Sequence, residues 1–495
     1  MADYKSFKTN ESLYDYLDKL QSNDDAIAII GSGFAALAIL QKINSSKNVV
    51  VFEKGNHFDP LNLKVLDVNN SSSFELKAGT VEESIGGSSN TWTGLLSEMT
   101  QYEFLGSNLK NSFVTSVFKD LQQVSYKQAW KFFNFNHKYV QKVATKGNFE
   151  ERVLPAQKKP LRVANALKKI SAPIIFDQEV VYVGSNSRGS FLITSFDQKL
   201  TKKCYFKKII VATGGIQSIN LINRSIAKGY ISSNRSLLPG SGYMNHPRIA
   251  LNNFILGDAK ESTFFFSEYY SEDWITYSLS NDMKMKFRTS NSFFRFQPVY
   301  EAENKIEFSV AQDIYTNKRN IFKILLSYFK SIDKFFFISF SNIIHYLLFF
   351  YRLKPLKVKH YNLQLRLEMD AVPNNFISQQ DDIVNTNISL SDNDIKTVRI
   401  LFSELLDEIG SSNINKEYTN FDIKNWKKIY DASHHIGGLS INNNKELSYV
   451  DENLQLIDSP DIYICSSSIF PRSGSGNPTL TIVALGLRLG DHLNK

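Results

Sequence analysis

The stretch that most constrains the fold is the segment at 25–36, DAIAIIGSGFAA. Its apolar run at 26–30 is typical of a buried strand in a parallel sheet. Gly31 permits a tight turn, Gly33 lets a phosphate approach the backbone, and the small Ala36 lets the next helix pack closely. The pattern predicts a strand, a turn and a helix whose N-terminal amides hold the pyrophosphate of a dinucleotide.

The sequence that follows this loop predicts the rest of a dinucleotide-binding unit. Residues 34–43 are rich in Ala, Leu and Ile, as expected of a helix packed on a sheet, and the run at 49–52, VVVF, predicts a second strand. That strand ends at Glu53, 22 residues after Gly31, where a carboxylate would accept hydrogen bonds from an adenosine ribose. An ordinary strand-end acid is the alternative for Glu53. This unit alone does not distinguish NAD from FAD.

Composition limits the class of protein and its partners. The chain has 495 residues, enough for two domains or for one domain with a large insertion, and its 42% hydrophobic and 21% charged residues are typical of a globular protein. A net charge of +8 favours anionic partners weakly. The sequence has neither zinc-finger spacing nor an aromatic RNA-binding signature, so we do not expect a nucleic-acid partner.

Cysteine usage and the N-terminus bear on location. The two cysteines, Cys204 and Cys465, are far apart in the sequence. They imply neither a disulfide framework nor a metal cluster, which suits a reducing compartment. Residues 1–24 are polar and indicate a short helix or loose leader, not a secretory signal. We therefore expect a cytoplasmic protein, with a peripheral position on the inner membrane as an alternative.

Local patterns divide the remainder into further elements. Three β-rich runs within 172–194 are typical of a β-meander, and a glycine-ended strand at 209–215 precedes a helix predicted at 217–227. The segment at 251–429 contains alternating stretches such as NLQLRLEM, which predict an open antiparallel sheet, and a helix predicted from 394 to about 409. Residues 106–159 have no clear period, and we assign them to the same domain as that sheet.

An apolar segment at 320–355 stands apart from these elements. Its central 17 residues, 335–351, are aromatic and almost wholly apolar, and lysines flank them. This composition is typical of helices that lie at a membrane surface. The alternatives are a buried helical hairpin, a dimer contact and, because 17 residues is a short run, a true membrane span.

The C-terminal part carries the residues suited to chemistry. The run SHHIGG at 433–438 places a histidine beside a glycine turn, and a strand predicted at 462–465 precedes the run GSGNPTLT at 474–481. Pro478 is suited to the first position of a helix predicted to end at Leu493. The N-terminus of such a helix offers free amides and a positive dipole end, which would stabilise the negative charge of a reduced flavin ring.

Taken together, these motifs carry a family resemblance. The chain resembles the glucose–methanol–choline (GMC) flavin oxidoreductases, and the motifs follow the family's order from end to end. Among members, those in bacterial surface-polysaccharide gene sets are the most similar in character. The motifs are the Gly31 loop, Gly86-Gly87-Ser88-Ser89, ATGGIQS at 212–218, GYMNHP at 242–247, HHIGG at 434–438 and NPTLT at 477–481.

The resemblance implies roles for individual residues. His434 matches the base that takes the hydroxyl proton while hydride leaves the same carbon for flavin N5, and Asn477 matches the residue that hydrogen-bonds the substrate oxygen. His435 and His246 would be structural. The residues implied to bind the cofactor are Gly31, Gly33, Ala36, Glu53, Gly86, Gly87, Ser88, Thr213, Gly214, Ser466, Pro478 and Thr479.

Two residues at the expected cofactor site depart from the family pattern. Thr91 lies about where some members carry the histidine that bonds covalently to flavin, so non-covalent FAD is expected. Ser466 stands where an aspartate is common, which leaves one flavin contact open.

The implied fold class is α/β, α+β overall, with a Rossmann-like FAD-binding domain and a second, antiparallel-sheet substrate domain. The FAD-binding domain would comprise 22–105, 160–250 and 430–495, and the substrate domain 106–159 and 251–429.

The implied reaction is oxidation of an alcohol carbon, with a sugar or glycoside hydroxyl, or a lipid-linked glycan, as the expected substrate. The sequence does not identify the electron acceptor: oxygen, a quinone and a redox protein all remain open. A monooxygenase or desaturase on a related fold, and a non-catalytic module on a relic FAD fold, are the alternatives.

Overall fold

Two large sheets, with helices packed on them, organise the part of the chain that the structure describes. The structure is a computed structural model that describes residues 4–5, 10–21, 25–43, 48–55, 67–70, 82–106, 113–136, 143–157, 159–196, 200–233, 235–256, 273–300, 309–311, 314, 340–350, 358–380, 383–410, 414–426 and 429–495.

In chain order, the strands within these residues are β1 (Tyr4–Lys5), β2 (Ile27–Ile30), β3 (Val49–Phe52), β4 (Asp67–Asn70), β5 (Val143–Lys146), β6 (Phe149–Leu154), β7 (Ile174–Ile175), β8 (Glu179–Asn186), β9 (Gly189–Phe196), β10 (Leu200–Phe206), β11 (Lys208–Val211), β12 (Arg248–Leu256), β13 (Trp274–Leu279), β14 (Phe293–Tyr300), β15 (Val358–Arg366), β16 (Phe376–Gln380), β17 (Ile383–Asn387), β18 (Ile429–Tyr430) and β19 (Ile462–Ile464). The α-helices are α1 (Asn10–Gln21), α2 (Phe34–Leu40), α3 (Gln101–Leu105), α4 (Phe113–Asp120), α5 (Tyr126–Phe132), α6 (Val163–Leu167), α7 (Gly214–Ala227), α8 (Asn281–Phe287), α9 (Phe340–Phe350), α10 (Asp392–Ile409) and α11 (Thr479–Leu493).

The first sheet is parallel and has the order β1-β7-β3-β2-β11-β19. Its central strands β2 and β3 are apolar and buried along their whole length, as is usual for parallel sheets that are covered on both faces. Helix α11 packs on α2 and α5, and it has the predicted bounds, Thr479–Leu493. Ala36 is fully buried in this core, where its small side chain allows α2 to pack closely.

The second sheet is antiparallel, with the order β18-β12-β15-β14-β13-β6-β5. One face packs on α10 through residues such as Leu363, Leu401 and Leu405. Helix α10 begins two residues before the predicted start because Ser391 caps it. The Ser391 hydroxyl accepts the Asp394 N–H at 3.0 Å, and the Asp394 carboxylate accepts the Ser391 N–H at 2.7 Å. The predicted mixed fold with parallel and antiparallel sheets is confirmed.

Two smaller sheets complete the fold. Two of the three runs of the predicted meander form β8 and β9 of the antiparallel sheet β10-β9-β8, whose third strand lies beyond the predicted range. The run at 174–175 belongs instead to the parallel sheet as β7. The fourth sheet, β16-β17-β4, joins an antiparallel pair to a parallel strand.

The stretch at 106–159 is divided between the two large sheets. Helices α4 and α5 bury Val117, Phe118 and Trp130 in the core of the parallel sheet, whereas β5 and β6 extend the antiparallel sheet. Their apolar residues pack against a distant part of the chain, so local sequence does not reveal the division. The domain boundaries themselves stay a prediction.

The apolar segment at 320–355 is only partly described. Residues 340–350 form α9, and the rest of the segment, including the predicted helical face at 321–332, lies outside the described residues. Across the part of the chain that the structure describes, no helix combines the length and the apolar character needed to cross a membrane.

Gly31 sits where two neighbouring strands of the parallel sheet end. Its backbone has a φ of +91°, and a Cβ added there would lie 2.7 Å from the carbonyl oxygen of Ala212. A side chain at this position would therefore be strained by its own conformation and would also collide with backbone.

We expect Gly31→Ala to lower the free energy of unfolding more than Gly229→Ala. Gly229 has a φ of +70° with open space around its Cβ position, so its substitution measures the conformational strain alone, about 1–2 kcal/mol. The collision should add about 1–3 kcal/mol for Gly31→Ala. Urea unfolding of both variants and the wild type checks this, and equal losses would contradict the close approach.

Candidate active site

The carboxyl ends of four parallel strands open onto one cavity of about 540 Å³. Gly31 follows β2, Glu53 follows β3, Thr213 lies just beyond β11, and Ser466 lies just beyond β19; all four line the cavity. Ligands of open α/β sheets bind at this edge, where the strand order reverses. The parallel sheet therefore places loops distant in sequence around a single site.

The structure brings together nearly all of the residues singled out in the sequence. Of the predicted catalytic and cofactor-binding residues, the one that does not line the cavity is Ala36, which is buried in the core on the inner side of α2. The predicted residues that line the cavity are Gly31, Gly33, Glu53, Gly86, Gly87, Ser88, Thr213, Gly214, His434, Ser466, Asn477, Pro478 and Thr479.

Glu53 fixes the glycine loop to the next strand. Its carboxylate accepts the Ser32 N–H at 3.0 Å and the Ser32 hydroxyl at 2.5 Å, and it accepts the Gly55 N–H at 2.8 Å. The Ser32 hydroxyl in turn accepts the Gly86 N–H at 2.8 Å. Burial raises the pKa of Glu53, against the lowering effect of these hydrogen bonds. The carboxylate thus joins three loops, and its oxygens retain lone pairs for a further donor.

The loop that carries His434 is clamped by the segment just before β12. Met244 and Ile436 exchange backbone hydrogen bonds of 2.8 and 3.1 Å. The Asn245 side-chain amide donates to Asp431 at 2.8 Å, and Asp431 also accepts the Ser433 N–H at 2.7 Å. Ser433 has a φ of +59°, a conformation that needs such support in a residue other than glycine.

His246 contacts His434 directly. Nε2 of His246 is hydrogen-bonded to Nδ1 of His434, and the ring centroids are 4.5 Å apart. His246 is fully buried, whereas His434 lines the cavity. The second nitrogen of His434, Nε2, is therefore the one that remains for a ligand.

The surroundings of the pair favour neutral rings. Burial, then the charges of His246 and Arg366, hold the pKa of His434 well below its ordinary 6.5. Burial and Arg366 lower the pKa of His246 to about 3, while the backbone carbonyls of Ser473 and Gly474 act in the opposite direction. Nδ1 of His246 is buried without a hydrogen-bond partner, so the hydrogen bond between the two rings is the one that holds the pair. In one tautomer of this pair, the Nδ1–H of His434 donates to Nε2 of His246. That tautomer leaves the lone pair of His434 Nε2 for the cavity.

Two of the buried polar atoms that have no hydrogen-bond partner belong to Asn477 and His435, which line the cavity with His434. They are Oδ1 of Asn477 and Nε2 of His435, and each residue is only 8% exposed. His435 Nδ1 is held by the Tyr243 hydroxyl at 2.5 Å. Buried polar atoms without partners are rare and costly, so both point to a polar group that the cavity takes up.

The backbone around these groups is tightly packed. A Cβ added to Gly215, in the first turn of α7, would lie 2.4 Å from the His435 carbonyl oxygen. The Ser467 hydroxyl donates to that same carbonyl at 2.5 Å. Ser466, next to it, uses its hydroxyl within the turn after β19, 2.6 Å from the Ser468 hydroxyl. The His434 loop is therefore held by both the α7 turn and the turn after β19.

Thr91, at the position where some family members carry a histidine bonded covalently to flavin, also lines the cavity. Its hydroxyl donates to the carboxylate of Glu82.

Sequence reasoning missed two arginines that line the cavity with His434. Arg248 lies two residues after His246 at the start of β12, and Arg366 ends β15. In the alternating run at 361–366 the leucines lie in the core with α10. Arg366, at the end of the polar face of this run, lines the cavity. The position of Arg248 directly after the Asn-His-Pro motif is the signal that could have identified it.

Comparison with known proteins agrees with this arrangement. Residues 377–486 match the sequence profile of the GMC oxidoreductases. No curated protein matches the chain in sequence.

The fold is similar to that of two solved structures. One is pyridoxine 4-oxidase from Mesorbium loti, with a TM-score of 0.55, 11% identity, and 95% of this chain and 99% of that chain covered. The other is a fungal aryl-alcohol oxidase, with a TM-score of 0.53, 12% identity and the same shares covered. Residues 377–486 are therefore similar to the GMC oxidoreductases, and the fold is shared with these two oxidases.

Proposed function

We propose that this protein is an FAD-dependent oxidoreductase that oxidises an alcohol carbon. The observation that carries the proposal is the convergence of His434 and Asn477 in the same cavity as the Gly31 loop. The profile match at 377–486 covers both residues, and the similarity to two oxidases supports the same reading.

The residues present fit FAD. Gly31 itself has no room for a side chain, and the loop offers its amides to a pyrophosphate. Glu53 lies at the end of the adjacent strand, where it would accept hydrogen bonds from a ribose. Pro478 and Thr479 place the N-terminus of the 15-residue helix α11 at the cavity, which would stabilise negative charge on the ring. When bound, FAD would accept the hydride that leaves the alcohol carbon.

His434 would act as the base. Its Nε2 faces the cavity as a lone pair when Nδ1 donates to His246, so it can take the hydroxyl proton of an alcohol. His246 does not reach the substrate in this scheme; it holds the ring and its tautomer. The imidazolium formed would still donate a hydrogen bond from its Nδ1–H to His246. This hydrogen bond would stabilise the positive charge of the ring without a second proton transfer.

Asn477 would hold the substrate oxygen. Its side chain is nearly buried and its Oδ1 has no partner, so the amide is available to a hydroxyl group. A hydrogen bond between this amide and the substrate oxygen would fix the carbon relative to His434. The match of this position to the family's pattern supports the same role.

We further propose that the alcohol belongs to a sugar or a glycoside. Similarity to members from surface-polysaccharide gene sets supports a sugar or glycoside hydroxyl, free or lipid-linked. A cytoplasmic location with a membrane-surface contact through the segment at 320–355 stays a prediction, for which the sequence of that segment is the support.

We expect His434→Ala to keep bound FAD but to slow its reduction by alcohol about 10²–10⁴-fold, the range usual for loss of a general base. Anaerobic bleaching of the flavin across a panel of sugars and alcohols measures this. His492→Ala, in the last turn of α11 and outside the cavity, is the control and should match the wild type. Undiminished reduction in His434→Ala would overturn the assignment.

The rate of flavin reduction should not fall until the pH is below 6.5. Because the environment lowers the pKa of His434 from 6.5, its neutral form persists in more acidic solution, and only the neutral form takes a proton. Anaerobic stopped-flow measurements over a pH series check this. A half-maximal rate at or above pH 6.5 would contradict the neutral, buried base.

A further inference from the structure

We propose that the substrate carries an anionic group, a carboxylate or a phosphate, which Arg248 and Arg366 bind beside His434. This inference rests on the proposed function and specifies its substrate class. Both arginines line the cavity together with His434 and Asn477.

The two arginines lie directly opposite each other in the register of β12 and β15. Residues so placed in an antiparallel pair have Cβ atoms about 4.5–5.5 Å apart, and like charges there destabilise the sheet. An anion between the two guanidinium groups would turn this repulsion into attraction.

Arg366 is the more deeply buried of the two arginines. It is only 8% exposed, and its Nη1 is buried without a hydrogen-bond partner. A buried guanidinium nitrogen that lacks a hydrogen-bond acceptor lowers the free energy of unfolding. Because it lines the cavity, a ligand there can supply the missing acceptor.

At the other end of the cavity, the cationic side chains are paired with carboxylates. Lys54 pairs with Glu83 at 2.8 Å and Arg224 pairs with Glu179 at 3.2 Å, and all four side chains line the cavity near the Gly31 loop. Among the described residues, no carboxylate forms an ion pair with Arg248 or Arg366. The cavity is therefore charge-compensated at its nucleotide end and positive at its reactive end.

The residues behind the pair hold Arg366 in place. Its guanidinium lies 5.1 Å from the centre of the Trp274 ring, and that of Arg295 lies 3.6 Å from the same centre. Burial lowers the pKa of Arg366 to about 10 and that of Arg295 to about 9. All of these groups stay charged at neutral pH, so Arg295 adds positive potential behind the site.

Paired guanidinium groups suit one ligand chemistry. They bind planar carboxylates and phosphate oxygens through parallel, charge-assisted hydrogen bonds. A sugar acid or a sugar phosphate held this way would be anchored at one end while its hydroxyl lies against His434. The structure thus favours anionic over neutral alcohols.

The test uses the FAD-loaded protein, in which the pyrophosphate occupies the Gly31 loop. Inorganic phosphate and acetate are titrated separately at constant ionic strength, and the flavin absorbance spectrum reports binding. The variants are Arg248→Gln and Arg366→Gln. The control is Arg188→Gln, which removes one positive charge from the exposed β8–β9 turn.

We expect at least one anion to bind the wild type and the Arg188→Gln control equally. Its dissociation constant should rise about tenfold or more in each cavity variant, the loss of a hydrogen bond to a charged group. Tighter phosphate than acetate binding assigns a phosphate group, and the reverse assigns a carboxylate.

Three results would overturn the proposal: no binding of either anion to the wild type, equal binding to Arg248→Gln, or loss of FAD from Arg248→Gln. The last would assign the arginines to the cofactor. Arg248 is exposed, so this variant decides the matter even if Arg366→Gln does not fold. The titration needs no turnover, and its outcome is therefore independent of whether any alcohol reduces the flavin.

Discussion

The site depends on the antiparallel contact between the segment at 243–246 and the loop at 431–436. Backbone hydrogen bonds between Met244 and Ile436, and the side-chain bond from Asn245 to Asp431, hold the two stretches together. The first stretch leads into β12 of the antiparallel sheet, and the second carries His434. Without this contact the base would not be held against the cavity of the parallel sheet, nor would His246 reach its ring.

The same contact gives the cavity two chemically different ends. One end is built from the carboxyl termini of parallel strands, where glycine backbone and paired charges suit a nucleotide. The other receives residues from the start of β12 and the end of β15, and it presents neutral histidines, an unpartnered amide oxygen on Asn477 and uncompensated arginines. The proposed hydride transfer, from an alcohol at the second end to a flavin ring at the first, would require this meeting of two sheets.

Local sequence was sufficient for four strands of the parallel sheet, β2, β3, β11 and β19, and for much of the site. The Gly31 loop, the run VVVF and the C-terminal helix are short-range patterns, and Glu53, His434 and Asn477 stand at positions that family motifs mark. All three line the cavity. Their proximity follows from the topology, since carboxyl ends of neighbouring parallel strands meet at one edge.

Contacts between distant segments of the chain could not be predicted from the sequence. Arg366 follows the alternation expected of an outward polar residue, and only the packing of the sheet over the cavity buries it. The bond between His246 and His434 spans 188 positions, and α4 and α5 join the parallel sheet through apolar contacts without a readable period. Each of these features is set by tertiary packing, which local propensity does not encode.

The central claim is that one cavity holds FAD with its reactive end at His434 and Asn477. A crystal structure of the FAD-loaded protein tests it most directly. We expect the pyrophosphate on the amides of the Gly31 loop and the flavin ring beside His434 Nε2 and the Asn477 side chain. A ring bound elsewhere, or a purified protein that does not take up FAD, would contradict the account.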